Sequence, residues 1–252
     1  MYPKKFWNEF RLSKWRNSIF IGMSFDAVEV QKRYKGVIRK AVKRTSLKIR
    51  FLKWKISGDS IPSDIMKGII ECKLVLFDIS PMGGKTATRN PNVMYELGLA
   101  HTWRNPEEVI VISDNVNDLP FDIQRLGVVK YDLKKEEQSI EKIKNTILFR
   151  LKQIDIREKS MVRKAAESLT LEAYRFLIKT KGLIEHDKKL KSSDKLLTIP
   201  LLLNLGLVEL LTDGYGYGYH PTQLGREVIR FYNKPLEKDD IEKYKTLYKP
   251  DY

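Results

Sequence analysis

Apolar positions in the first 150 residues fall into short continuous runs separated by longer amphipathic stretches. Residues 19–21 (IFI), 74–77 (LVLF) and 108–113 (EVIVIS) have the length of buried strands, with turn-forming residues close behind. Residues 128–131 read as a further strand. Residues 48–56 (KIRFLKWKI) alternate charged with apolar side chains, the pattern of a half-exposed edge strand whose lysines discourage unwanted pairing. Helical periods lie between these runs. Val28, Tyr34, Val37, Ile38, Ala41 and Val42 share one face of a helix whose other face is basic. Residues 60–71, a stretch opening at Pro91, a short segment at 118–126 and a charged amphipathic stretch at 136–159 predict four more. Strands alternating with helices mean βαβ units, hence a parallel sheet covered on both faces.

From Ser168 the period changes. Ala173, Phe176, Leu177 and Ile178 belong to one helix ended by Gly182. Thr198 is a candidate cap for another, with Pro200 in its first turn. Residues 207–211 and 217–221, around the turn Asp213-Gly214-Tyr215-Gly216, predict a β-hairpin, and residues 222–232 a last helix. The chain therefore divides into a basic aromatic segment (1–17), an α/β domain (18–158), a smaller domain (159–232) and a charged tail (233–252).

The stretch 73–103 carries the candidate chemistry. Its strand ends in Asp78 and Ser80. Its helix opens with Asn90 as N-cap and Pro91 at the first position, then runs through Val93, Met94, Tyr95, Leu97, Leu99 and Ala100, with Gly98 for close approach. A helix apolar nearly all round is expected to be buried. One carboxylate, Glu96, sits in its middle. A buried carboxylate is either paired or used; otherwise Glu96 complements the helix dipole or points to solvent. Asp78 either joins Glu96 at the crevice where doubly wound sheets bind ligands or caps a neighbouring loop.

The segments SIFIGMSFD, KLVLFDIS, NPNVMYELGLAH and LPFDIQRLGVVKYD resemble the TIR-like, nucleoside 2-deoxyribosyltransferase-like group of prokaryotic nucleotide-binding domains, over residues 17–150. The resemblance implies a flavodoxin-like (TIR-like) sheet and cleavage of an N-glycosidic bond in NAD or a related nucleotide or nucleoside, in antiviral or stress defence. It implies Glu96 as catalytic residue and Asp78 as a holder of the ribose. Ser24, Phe25 and Asp26 would then wall the site together with Ser80 and Asn92. Phe25 or Tyr95 would stack on a ring. The loop 83–86, ahead of a helix N-terminus, either meets phosphate through its backbone N–H groups and Lys85 or is merely a flexible loop. No metal and no separate cofactor is needed. The phrasing GLVELL…GYHPTQLGREVIRFY resembles a winged helix-turn-helix, which leaves two functional classes open: an N-glycosidase, or a non-enzymatic nucleotide sensor that binds DNA. The helix expected to read DNA is apolar after Lys195 and poor in base-reading residues, so protein–protein contact stands level with DNA binding for this domain.

Composition then narrows the partners. Of 252 residues, 47 are basic and 32 acidic, a net charge of +15. Residues 1–56 hold 16 lysines and arginines against Glu9, Asp26 and Glu29, so the excess is amino-terminal. It predicts attraction to nucleic acid, an acidic membrane surface or a phosphate-bearing ligand, or else a solvated basic face. The aromatic residues among 1–17 serve packing on the sheet domain, a membrane surface or an interface. The single cysteine, Cys72, excludes an internal disulfide, and no apolar run has the length of a membrane span, which points to a cytoplasmic protein. A homo-oligomer is expected. Gly83-Gly84-Lys85-Thr86 fails the spacing of a phosphate-binding P-loop because Ile79 stands where glycine is required. His101, His186 and His220 are scattered and do not suggest zinc.

Overall fold

The structure is a computed structural model that describes residues 15–24, 32–50, 61–82, 87–117, 119–179, 197–212 and 217–233. These fall into two compact units, one ending at Arg157 and the other beginning at Glu158.

In the first unit, β1 (Trp15–Gly22), β2 (Lys48–Arg50), β3 (Cys72–Asp78), β4 (Val109–Ser113) and β5 (Val129–Lys130) form one sheet in the order β2-β1-β3-β4-β5, with every pair parallel. This is the flavodoxin-like order, and the chain reverses its direction of winding between β1 and β3. Side-chain alternation sorts the two faces. Ile19, Ile21, Leu74, Leu76, Ile110 and Ile112 point to one face. Helix α1, a π-helical segment Tyr34–Ile38 running on as Arg39–Lys43, covers it together with α5 (Glu136–Glu167). Phe20, Val75, Phe77, Val109 and Val111 point to the other, under α2 (Ile61–Glu71), α3 (Pro91–Trp103) and α4 (Phe121–Gln124). Parallel strands buried on both faces need apolar residues at successive positions, which is why the strands read as continuous runs.

Helix α3 is not buried all round. Val93, Leu97 and Ala100, spaced by four and three, are its buried stripe, while Tyr95 is 69% exposed and Gly98 is open, with nothing within 4 Å of where its Cβ would stand. Apolar residues at Tyr95 and Gly98 disguised an ordinary one-sided helix. The close approach occurs instead at Gly22 and at Gly68, where an added Cβ would lie 2.4 Å from the Phe20 ring.

A buried arginine finishes the sheet at its amino end. Arg104 donates to the carbonyls of Ile70 (3.1 Å) and Lys73 (2.6 Å) and pairs with Glu108, which also pairs with Arg157 of α5. A buried ion pair is stabilised only when its remaining donors are satisfied, and the two carbonyls do this for Arg104.

The second unit contains the end of α5, α6 (Leu171–Lys179), α7 (Ile199–Asn204), an antiparallel hairpin of β6 (Val208–Thr212) and β7 (Tyr217–Pro221), and α8 (Gln223–Asn233). Its core joins Ala166, Ala173, Leu177, Leu202, Leu207 and Val228. Thr198 precedes α7 without a side-chain capping bond, because its own backbone is already helical. Thr222 serves α8 instead, its hydroxyl accepting from Gly225 N at 3.2 Å.

Candidate active site

The carboxyl ends of β1 and β3 flank the reversal in strand order, and the chain places its unusual polar groups there. Glu96 lies beyond the first turn of α3, past the reach of the helix dipole. Asn90 positions that helix. Its side-chain oxygen accepts from Asn92 N (2.9 Å) and Val93 N (3.4 Å), and its amide nitrogen donates to Ser24 Oγ at 2.9 Å. One residue thus caps α3 and ties it to the end of β1. The result sets the Glu96 carboxylate over Gly22: a Cβ on Gly22 would lie 3.3 Å from Glu96 Oε2 and 2.4 Å from the Phe77 ring.

Glu96 is half-buried, and among the described residues it has neither a hydrogen bond nor an ion pair. Burial alone pushes its carboxyl up to about 7. A carboxyl group with no partner at the ligand edge of a doubly wound sheet can accept a proton, stabilise a developing cation or attack an electrophilic carbon.

Asp78 has a different environment. Strand alternation turns it to the opposite face from Phe77. There Oδ1 accepts from Ser80 N (3.0 Å) and Ser80 Oγ (2.6 Å), and Oδ2 accepts from the Tyr131 hydroxyl at 2.9 Å. Ser80 Oγ also accepts from Asp114 N at 2.9 Å. Burial raises the Asp78 carboxyl, while these donors and Arg33 pull it back. Arg33 itself is buried against Asp114, 2.7 Å away. The expected partnership of Asp78 and Glu96 therefore does not form: the two sit on opposite faces, and Asp78 and Ser80 bind the loops after β3, β4 and β5 together.

Of the other expected site residues, Ser24 is buried beside Asn90, Asn92 is exposed, and Tyr95 points to solvent. Phe25, Asp26 and Lys85 lie outside the described residues. Sequence reasoning missed Arg89. Its guanidinium donates to the Ile79 carbonyl, to Ser113 Oγ (3.3 Å) and to the carbonyls of Asn115 and Asn117 (3.0 Å each), holding the β4 loop against β3. Its place immediately before the Asn90 cap was the only signal. Among the described residues no group of three or more His, Cys, Asp or Glu could hold a metal ion, and no helix is long and apolar enough to cross a membrane.

No family model and no curated protein matches the chain. Among solved structures it is similar to the TIR domain of the Toll-related receptor TRR-2 from Hydra magnipapillata. The match has 16% sequence identity and a TM-score of 0.39, covering 55% of this chain and 97% of that one.

Proposed function

We propose that the first unit is a TIR-like N-glycosidase that cleaves NAD or a related nucleotide or nucleoside, with Glu96 as its catalytic residue. The observation that carries this reading is the half-buried Glu96 carboxylate, without a partner among the described residues, over a glycine at the switch point of the sheet. In the reaction the base leaves with the electron pair of its bond to the anomeric carbon. Positive charge grows on the ribose, where a carboxylate in a water-poor site stabilises it. Water then adds to that carbon and releases a proton. Glu96 acts as the anion, so kcat/KM, which reports the ionisation of the unliganded protein, rises with pH through about 7. The cationic nicotinamide ring of a nicotinamide nucleotide, bound beside Glu96, favours the ionised form and moves that midpoint lower. The role in defence rests on the sequence resemblance.

The test incubates the purified full-length protein with NAD and a panel of nucleosides and follows released base by chromatography. Glu96→Gln lowers release by about a hundredfold or more, the size expected when one electrostatic group acting on the transition state is lost. Absence of release from every substrate, or equal release by the variant, overturns the proposal.

One observation favours a second reading. The second unit runs from the end of α5 through two helices, an antiparallel hairpin and a last helix, with β6 and β7 in register from Val208–Pro221 to Thr212–Tyr217. That order supports a winged helix-turn-helix, and with it a nucleotide-sensing regulator that binds DNA without turnover. Ligand binding in calorimetry with no released base distinguishes this reading from the enzyme.

A further inference from the structure

Between Glu29 and Asp59 the sequence has no carboxylate, and residues 32–50 show how the cations of that stretch are arranged. Arg33 is buried against Asp114. Lys40 and Arg44 lean on α5, where Lys40 pairs with Glu136 and Arg44 with Glu137 and Glu141. A second row lies one position away around the helix. Lys32, Lys35, Arg39 and Lys43 follow at intervals of three, four and four residues, roughly one turn apart, and all four are exposed. Lys48 and Arg50 of edge strand β2 are exposed too, but they share a sheet face with Phe20, away from α1, and take no part in the row. Lys32, Arg39 and Lys43 form no ion pair among the described residues.

We infer that this exposed row along α1 is a docking surface for the phosphate backbone of a nucleic-acid duplex. Two features choose that partner. An amphipathic element that lies on a membrane inserts an apolar face among the lipids, and none of the large apolar side chains between Lys32 and Arg50 is exposed. Proteins that grip single strands stack bases on aromatic side chains. The only aromatic residue in this segment, Tyr34, is half-buried in the core. What the surface offers is charge in a row, which suits stacked and paired bases whose phosphates face outward. Residues 32–50 hold no asparagine or glutamine to pair with adenine, and the inference assigns the lysines and arginine of the row to phosphate. Helix α1 covers the sheet face opposite the one under α3, so a duplex docked here leaves Glu96 untouched.

The test measures binding of the full-length protein to a fluorescent 20-base-pair duplex at a series of salt concentrations. The comparison is a variant carrying Lys32→Gln, Arg39→Gln and Lys43→Gln. All three side chains are exposed and outside the core, so the variant keeps the melting temperature of the parent. A control variant loses the same charge elsewhere, through Lys134→Gln, Lys135→Gln and Lys152→Gln. The inference expects a steep salt dependence in the parent that varies little between duplex sequences. In the first variant the slope of log affinity against log salt becomes shallower by about two to three, and affinity at ~0.1 M salt falls at least tenfold. The control variant retains the parent slope. The inference is overturned if the parent fails to bind duplex at low salt, if both variants bind alike, or if anionic phosphatidylserine vesicles bind the parent while duplex does not.

Discussion

Replacing Glu96 with Gln tests whether the carboxylate is strained by its site or satisfied by it. The side chain keeps its size, so packing over Gly22 and beside Phe77 is preserved. Burial moves the carboxyl from its ordinary 4.5 to about 7. At about 1.36 kcal/mol for each tenfold change in proton affinity, this corresponds to roughly 3 kcal/mol, and because part of the group is open to water, screening reduces it to about 1–2 kcal/mol. The sign follows from proton binding. Between 4.5 and 7 the folded protein holds a proton that the unfolded chain has released, so stability falls as pH rises across that window. The contribution of the neutral acid is complete below 4.5 and gone above about 7. Glu96→Gln carries no such loss. The variant therefore matches the wild type near pH 4.5 and gains on it through the window. By pH 8 it melts roughly 2–8 °C higher. Differential scanning fluorimetry at half-unit steps measures the crossover directly. A variant that is less stable than wild type at pH 8, or a difference that does not change with pH, refutes the reasoning, because it means that the charge has a partner.

Two further outcomes test the supports of the site. Tyr131→Phe removes the donor to Asp78 Oδ2 and lowers stability by about 1–3 kcal/mol in urea titration, the range for leaving a buried acceptor short of a partner; base release per folded molecule is unchanged if Asp78 holds loops and not ribose. Gly22→Ala drives a methyl group to 2.4 Å from the Phe77 ring, so the ring must shift; stability falls by about 1–3 kcal/mol in urea titration, and base release falls as Glu96 is displaced.

The sheet was legible because its physics is local. A strand buried on both faces must be apolar at every position, and residues 74–77 and 109–112 are. Asn90 and Pro91 marked the start of α3 for an equally local reason, and Glu96 stood out as a carboxylate among apolar neighbours. The error over Asp78 was avoidable in principle. Alternation puts Phe77 and Asp78 on opposite faces, and the helix that follows β3 packs over Phe77, so Asp78 and Glu96 could not meet. Arg33, Arg89 and Arg104 were not legible. Each is one cation among 47, and only the folded chain distinguishes an arginine that holds carbonyls from one that meets water.

Gly22 and Phe77 are neighbours in register on β1 and β3, and the ring occupies the space that a side chain at position 22 would take. The two positions are therefore one inherited unit. Among chains descended from the same ancestor, a residue larger than glycine at the first position should appear only where the second has shrunk, for instance to valine or alanine. Such paired changes would mark lineages in which the floor beneath the carboxylate has been rebuilt, and an unpaired change would mark lineages that have given up the site.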